Sequence, residues 1–292
     1  MLRPAWHVRR SDTCAPSGRG VLNVPAYLKR IDYHGPLDAT AETLRALHRA
    51  HLQALPFENL DIHLRRPIVL DETALFDKIV ERRRGEFCYE LNGLFAWLLR
   101  QLGFDVTLLS ARVASGEGAF GPEFDHLTLL LNLEERRPAG AASSRAKPSP
   151  RDGARWLADV GFGECFDEPL TFDDPLDQVR GGRAYRLAHG EAACKLLVLE
   201  EDGGWGDQYL FGYQPRQLND FAEMCVWQQT SPESFFTRKR VCTRITPEGR
   251  ITLSDMRLIV TANGERVERE LRSEEEVAAV LREHFGIDLS LV

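Results

Sequence analysis

The chain has 292 residues, 43% of them hydrophobic and 28% charged, enough for a substantial core in two or three domains. Its formal net charge of −7 leaves no basic excess for nucleic acid or an anionic membrane. No run approaches the roughly 18 apolar residues of a membrane span, and the first twenty residues carry charge without the apolar stretch of a secretory leader.

Residues 1–25 read as a flexible N-terminal extension. Residues 26–103 read as a helical bundle. "DATAETLRALHRAHLQAL" spaces Leu44, Leu47, His48, His51, Leu52 and Leu55 for one helix face, with Thr40 or Asp38 as cap. "PFENLDIHLRRPIVLD" is a turn-rich link. "DETALFDKIVERRR" is a second helix with Leu75, Ile79 and Val80 inward. "GEFCYELNGLFAWLLRQLGF" is a third, with Leu91, Leu94, Phe95, Leu98, Leu99 and Leu102 on one face and Gly103 as terminator. From Asp105 the pattern changes to short β-branched and aliphatic runs, so 104–212 reads as a closed or nearly closed antiparallel sheet. Within it, 134–155 is an insertion loop rich in Pro, Ser, Ala and Gly, with a local charge of +3 from six Lys/Arg and three Asp/Glu. Residues 213–292 mix a helix, strands separated by "PEG" and "NGE", and a final helix with Ser273 and Glu276 at capping-box spacing.

The six cysteines, Cys14, Cys88, Cys165, Cys194, Cys225 and Cys242, form no CxxC pair and have irregular spacing. That argues for a reducing compartment, here the cytoplasm, and against a zinc knot or disulfide framework. His48 and His51 lie three apart without a third ligand nearby, so no metal is read. "GEGAFG" at 116–121 lacks the strand-then-helix frame of a dinucleotide site.

"RRRGEFCYELNGLF" places Cys88 at the start of a helix, where the dipole and free N–H groups favour a thiolate. Arg82, Arg83 and Arg84 add positive potential if they face it. From this stretch alone Cys88 is equally a nucleophile or a small core residue. A nucleophile needs a base and an orienter. His126 opens the strand "HLTLLLNL", and Asp159 interrupts the apolar run "WLADVGFG", where a carboxylate is costly unless paired. Asp125 is a poorer orienter, because strand neighbours point to opposite faces.

These stretches, with "PFENLDI" and "SPESFFTRKRVCTRITPEGRITL", resemble the arylamine N-acetyltransferase family from about Tyr27 to Ile287. The resemblance implies an α+β fold of three domains: helical bundle, antiparallel β-barrel and α/β lid, with a cysteine-protease-like core. It implies a triad of Cys88, His126 and Asp159. The reaction implied is two-step acetyl transfer from acetyl-CoA as co-substrate, without a metal, to an arylamine, hydrazine or N-arylhydroxylamine. Phe162, Glu164 and Phe166 would line the acceptor site, with Phe57 and Phe124 beside them; Gly161 and Gly163 would let CoA approach the backbone. No nucleic acid or membrane partner is expected, and the chain is read as a monomer or weak homo-oligomer.

Two features depart from the family pattern. Glu86 stands where a second glycine is usual, and its charge would raise the thiol pKa if it faced Cys88. The 134–155 insertion lengthens the interval between His126 and Asp159, and its charge could meet CoA phosphates. Competing readings are a relative with another acyl-CoA donor or a biosynthetic acceptor, a Cys–His–Asp hydrolase or transglutaminase-like enzyme, and an inactive CoA- or aromatic-binding homologue.

Overall fold

Capping decides where the first helices begin. In the computed structural model, which describes residues 22–116, 118–134 and 153–289, helix α1 (Val24–Arg30) starts where Asn23 accepts the Ala26 N–H. It therefore begins inside the segment read as an extension, of which residues 1–21 lie outside the described residues. Helix α2 (Ala41–Ala54) is capped by Thr40 and buries Leu44, Leu47, His48 and His51. The stretch read as a link holds a two-residue strand, β1 (Phe57–Glu58), and one helical turn, α3 (Leu60–His63). Helix α4 (Glu72–Phe76), capped by Asp71, widens into a π turn over Asp77–Glu81.

Helix α5 (Cys88–Gln101) is the centre of the bundle. Its apolar spacing suggests one buried face, yet every residue from Cys88 to Leu99 is buried, Glu90 and Asn92 included. A helix enclosed on all sides must pair its polar groups within the protein. Two buried polar clusters, one on each side of α5, result.

The barrel comprises β2 (Asp105–Gly116), β3 (Ala119–Phe120), β4 (His126–Glu134), β5 (Gly153–Ala158), β6 (Leu170–Thr171), β7 (Gln178–Arg180), β8 (Arg183–His189), β9 (Ala193–Leu199) and β10 (Trp205–Arg216). Antiparallel pairing runs β6-β5-β4-β2-β10-β9-β8-β7, with β3 on β2. The ends nearly meet: the Gln178 amide on β7 accepts the Thr171 N–H and donates to the Thr171 carbonyl on β6, both at 2.8 Å. Inward residues such as Leu109, Leu157, Tyr185, Leu196 and Phe211 fill the barrel.

β4 and β5 pair from Glu134 opposite Gly153 to Leu129 opposite Ala158. Part of the segment read as a loop, Gly153–Arg155, is thus strand; residues 135–152 lie outside the described residues. The same register brings His126 and Asp159 to one end of the pair. The ends at Glu134 and Gly153 lie eight residues away along β4, about 26 Å of strand.

After a 3₁₀ turn come α6 (Ala222–Thr230) and α7 (Phe235–Arg238), then β11 (Val241–Thr246), β12 (Gly249–Ser254), β13 (Arg257–Ala262), β14 (Glu265–Glu270) and α8 (Glu274–Val280). Ser273 caps α8, while the Glu276 carboxylate reaches one residue further back to the Arg272 N–H. The second sheet has the order β1-β11-β12-β13-β14. Its first strand comes from the helical region, with Phe57 opposite Thr243, so the last third of the chain is stitched to the first.

Candidate active site

Cys88 is the first residue of α5, and its approach is fixed by backbone pairing. Glu86 donates its N–H to Pro56 O (3.2 Å) and accepts from the Glu58 N–H (3.0 Å). A Cβ on Gly85 would lie 2.0 Å from Pro56 O, so only glycine fits there. One turn later, Asn92 stands on the same helix face as Cys88, because residues four apart do. Its amide donates to Leu127 O (2.7 Å) and Asp159 Oδ1 (2.9 Å) and accepts the Val160 N–H (2.9 Å). A Cβ on Gly161 would meet Asn92 at 2.6 Å and the Cys88 Cα at 2.8 Å, so the loop after Asp159 rests directly on the cysteine.

His126 and Asp159 join at this point. His126 Nε2 and Asp159 Oδ2 are 2.7 Å apart, both side chains buried. Tyr209 OH donates to Oδ2 at 2.9 Å, and the Gly161 N–H to Oδ1 at 3.0 Å. Burial opposes the ionised carboxylate, yet the His126 charge and the bonds from His126, Asn92 and Gly161 hold Asp159 below its usual range. His48 supports it from behind. Its Nδ1 lies 3.1 Å from Asp167 O, and its Nε2 faces the Asp159 backbone, 3.1 Å from the carbonyl oxygen and 3.2 Å from the N–H. Burial holds that ring neutral, its pKa lowered to about 4. His51 is engaged with Tyr27 OH at 2.9 Å.

The Cys88 thiol is buried at the helix terminus. Burial, followed by the Asp125 charge, pushes its pKa well up, against a backbone hydrogen bond from Leu127 that favours thiolate. The three arginines do not offset this. Arg82 is exposed and pairs with Asp77, Arg83 is exposed, and Arg84 is buried against Glu58 and Asp61. Glu86 is fully buried, paired with Lys78 and 3.5 Å from Arg84. The carboxylates that act most on the thiol are Asp125 and Asp159.

Cys88 and His126 open into one cavity of about 550 Å³, walled by Phe57, Phe162, Trp227 and Phe236. Gly161, Gly163 and Glu164 also line it; Glu164 is largely exposed at its rim and pairs with Arg183 at 3.2 Å. Two aromatics read as acceptor contacts are elsewhere. Phe166 is barrel core, stacked on His48 at 5.8 Å and edge-on to Tyr185. Phe124, at φ +67°, packs against Phe221 beneath the Arg216 guanidinium. Asp125 lines the same cavity and accepts from Gln228 Nε2 at 2.7 Å.

A protein-family model described as N-acetyltransferase matches residues 40–137 and 150–292, with both breakpoints near the segment between β4 and β5. The arylamine N-acetyltransferase of Escherichia coli is 33% identical over 264 residues, covering 89% of this chain and 87% of that protein. The chain belongs to the arylamine N-acetyltransferase family. Another relative, the proansamycin X synthase of Amycolatopsis mediterranei, is 31% identical over 271 residues, covering 89% of this chain and 96% of its own. The structure of the Mycobacterium marinum arylamine N-acetyltransferase in complex with CoA aligns with a TM-score of 0.77 and 29% identity over 91% of this chain and 93% of that one. This acyltransferase is an α+β protein like them, with N-terminal helices, a nearly closed antiparallel barrel and a C-terminal α/β region.

The sequence reading missed four supports of the site: Asn92, Tyr209, His48 and the α6–α7 wall. Asn92 had a usable signal, an amide four residues after the cysteine in an otherwise apolar helix. Tyr209 and His48 had none, since β10 and α2 reach Asp159 only through the tertiary fold.

Proposed function

We propose that this acyltransferase works in two steps through Cys88, with acetyl-CoA as donor and an aromatic amine or hydrazine as acceptor. The observation that carries this is the His126–Asp159 pair at 2.7 Å in the same cavity as the helix-terminal thiol. His126 Nε2 donates to Asp159, which leaves Nδ1 as the acceptor on the ring. In the first step the thiol proton passes to Nδ1 as Sγ forms a bond to the thioester carbonyl. The carbon–sulfur bond to CoA then breaks, and His126 returns the proton to the departing thiolate.

In the second step the acceptor nitrogen attacks the acetyl thioester, His126 takes a proton from it, and Cys88 leaves and is reprotonated. Thioester exchange is nearly balanced, so the acetyl-enzyme can wait for an amine. Asp159 holds the imidazole orientation and stabilises the imidazolium in both steps. The Glu90 and Leu91 N–H groups bond Phe87 O, and the Cys88 N–H at the start of α5 is proposed as the donor to the tetrahedral oxyanion. Phe57 and Phe162 are proposed as the walls for the acceptor ring, Glu164 as a rim contact, and Gly161 and Gly163 as the backbone that the donor passes. A cytoplasmic setting agrees with five described cysteines that are all unpaired; no helix of the described residues is long and apolar enough to cross a membrane.

Intact mass after incubation with acetyl-CoA alone tests the reading. One acetyl adduct is expected, absent from Cys88→Ala and discharged by an arylamine. An adduct that persists in Cys88→Ala would overturn the assignment. The synthase relative supports a second reading, a different acyl donor or a biosynthetic acceptor. Under it, acetyl-CoA leaves the protein unmodified.

A further inference from the structure

The wall that β11 and β12 give to the cavity carries a cation with no carboxylate bonded to it among the described residues. Arg250 on β12 lines the cavity, as do Thr243 on β11 and Thr252 on β12. Its Nη1 donates to Gly163 O and to Thr243 Oγ1 (3.2 Å), and Thr243 and Thr252 hydroxyls are 2.7 Å apart. A guanidinium has five N–H donors. Two are used here, and the remaining three have no partner among the described residues. No carboxylate pairs with Arg250 among those residues; Glu164 acts on it at a distance but is bonded to Arg183. Burial pulls the Arg250 pKa down, as for any charge moved from water without a partner. The cavity lining also includes Asp125, Glu164 and Glu233, but none of them is bonded to Arg250, whose open donors suit an anion.

The place of Arg250 narrows the source of that anion. Gly163, which it grips, follows Gly161 by two residues, a reach of at most about 7 Å. Gly161 in turn rests on the Cys88 Cα. The phosphates of CoA sit at the far end of the pantetheine arm from the reacting thioester. A substituent on the acceptor ring remains close to the thiol. We propose that Arg250, flanked by the hydroxyls of Thr243 and Thr252, is a specificity-determining residue whose ligand is a ring carboxylate of the acceptor, so that the chain favours aminobenzoate-type aromatic amines. This rests on acetyl transfer from Cys88 to an aromatic amine. The planar fork of Arg250 suits a carboxylate, with a hydroxyl completing the contact.

The test compares 4-aminobenzoate with its uncharged ethyl ester as acceptors at saturating acetyl-CoA. The unaltered enzyme is expected to prefer the acid in kcat/KM, a result that needs no variant. Arg250→Gln is expected to lower kcat/KM for the acid about ten- to a hundredfold more than for the ester, chiefly through KM. Arg250→Lys, which keeps the charge, is expected to restore part of the preference. Thr252→Val gives a milder loss of the same sign and serves if Arg250→Gln does not fold. Equal losses on both acceptors would reduce Arg250 to a brace for Gly163 and overturn the proposal. A loss confined to the KM for acetyl-CoA would assign the anion to the donor and overturn it too. Absence of any acetyl-Cys88 in the unaltered enzyme would instead strike the underlying reaction.

Discussion

Two buried polar clusters lie against the same helix, α5, and they are built on opposite principles. On one side a single carboxylate, Asp159, collects donors from His126, Asn92, Tyr209 and Gly161. On the other, four carboxylates, Glu58, Asp61, Glu86 and Glu90, share two cations, Lys78 and Arg84. Lys78 alone meets Asp61, Glu86 and Glu90. Neither Glu86 oxygen nor Glu90 Oε2 has a hydrogen bond of good geometry, although ion pairs reach Glu86 Oε1. The first cluster is over-supplied with donors and holds one charge in place beside Cys88. The second is over-supplied with acceptors and holds together the turn that delivers Cys88. A buried charge is cheap when donors outnumber it and costly when they do not.

The pH behaviour of the two clusters differs in sign. Asp159 is held below the ordinary carboxylate range, so its contribution to stability is present above about pH 4 and lost as pH falls further. Glu90 is raised to about 7, first by burial and against the Lys78 charge. Its contribution is present below the ordinary range near pH 4.5 and is lost as pH rises through about 7.

The largest effect on function is expected from the donor-rich cluster. Asp159→Asn keeps the shape but removes the charge that orients and stabilises the His126 imidazolium, and kcat should fall about a thousandfold or more. Single-turnover acetylation of Cys88 measures it; a loss under tenfold would show that Asp159 is structural. The largest effect on stability is expected from the acceptor-rich cluster. Lys78→Met strands three carboxylates and should cost about 3–5 kcal/mol in urea unfolding at pH 7.5. A cost below 1 kcal/mol would mean that water already enters this cluster. The smallest and most discriminating change is Glu90→Gln, which preserves an acceptor for Lys78 Nζ and lowers the excess of acids. It should stabilise the protein by about 1–3 kcal/mol at pH 8 and have little effect at pH 5, read as thermal midpoints at both values. Equal midpoint shifts at the two values would refute the excess-acid account.

Much of this protein was legible in one dimension because its signals are local. Thr40 and Ser273 cap helices, and the change from helical to alternating spacing at Asp105 marks the start of the barrel. The motifs around Cys88, His126 and Asp159 carried the family resemblance, and it was the resemblance that pointed to a triad. Local reasoning failed where a side chain's direction depends on a distant element. The three arginines before Cys88 looked like a positive field for the thiol, yet Arg84 turns inward to Glu58 and Asp61. Phe166, six residues past Val160, looked like a pocket wall and is core, because the chain has by then crossed into the barrel interior. Glu86 looked like an intruder beside the nucleophile and instead points into the cluster of Lys78.

The sequence by itself determined most of the element types and the family, since periodicity, caps and motif spacing are properties of neighbours along the chain. The tertiary structure alone decided that β1 from the helical region joins the last sheet, that the β4–β5 register sets His126 against Asp159, and that Arg250 lines the cavity with no carboxylate bonded to it among the described residues. The physical reason is that charge is settled by three-dimensional neighbours: whether a buried carboxylate or guanidinium is satisfied depends on which distant donors and acceptors the packed elements bring within hydrogen-bond reach.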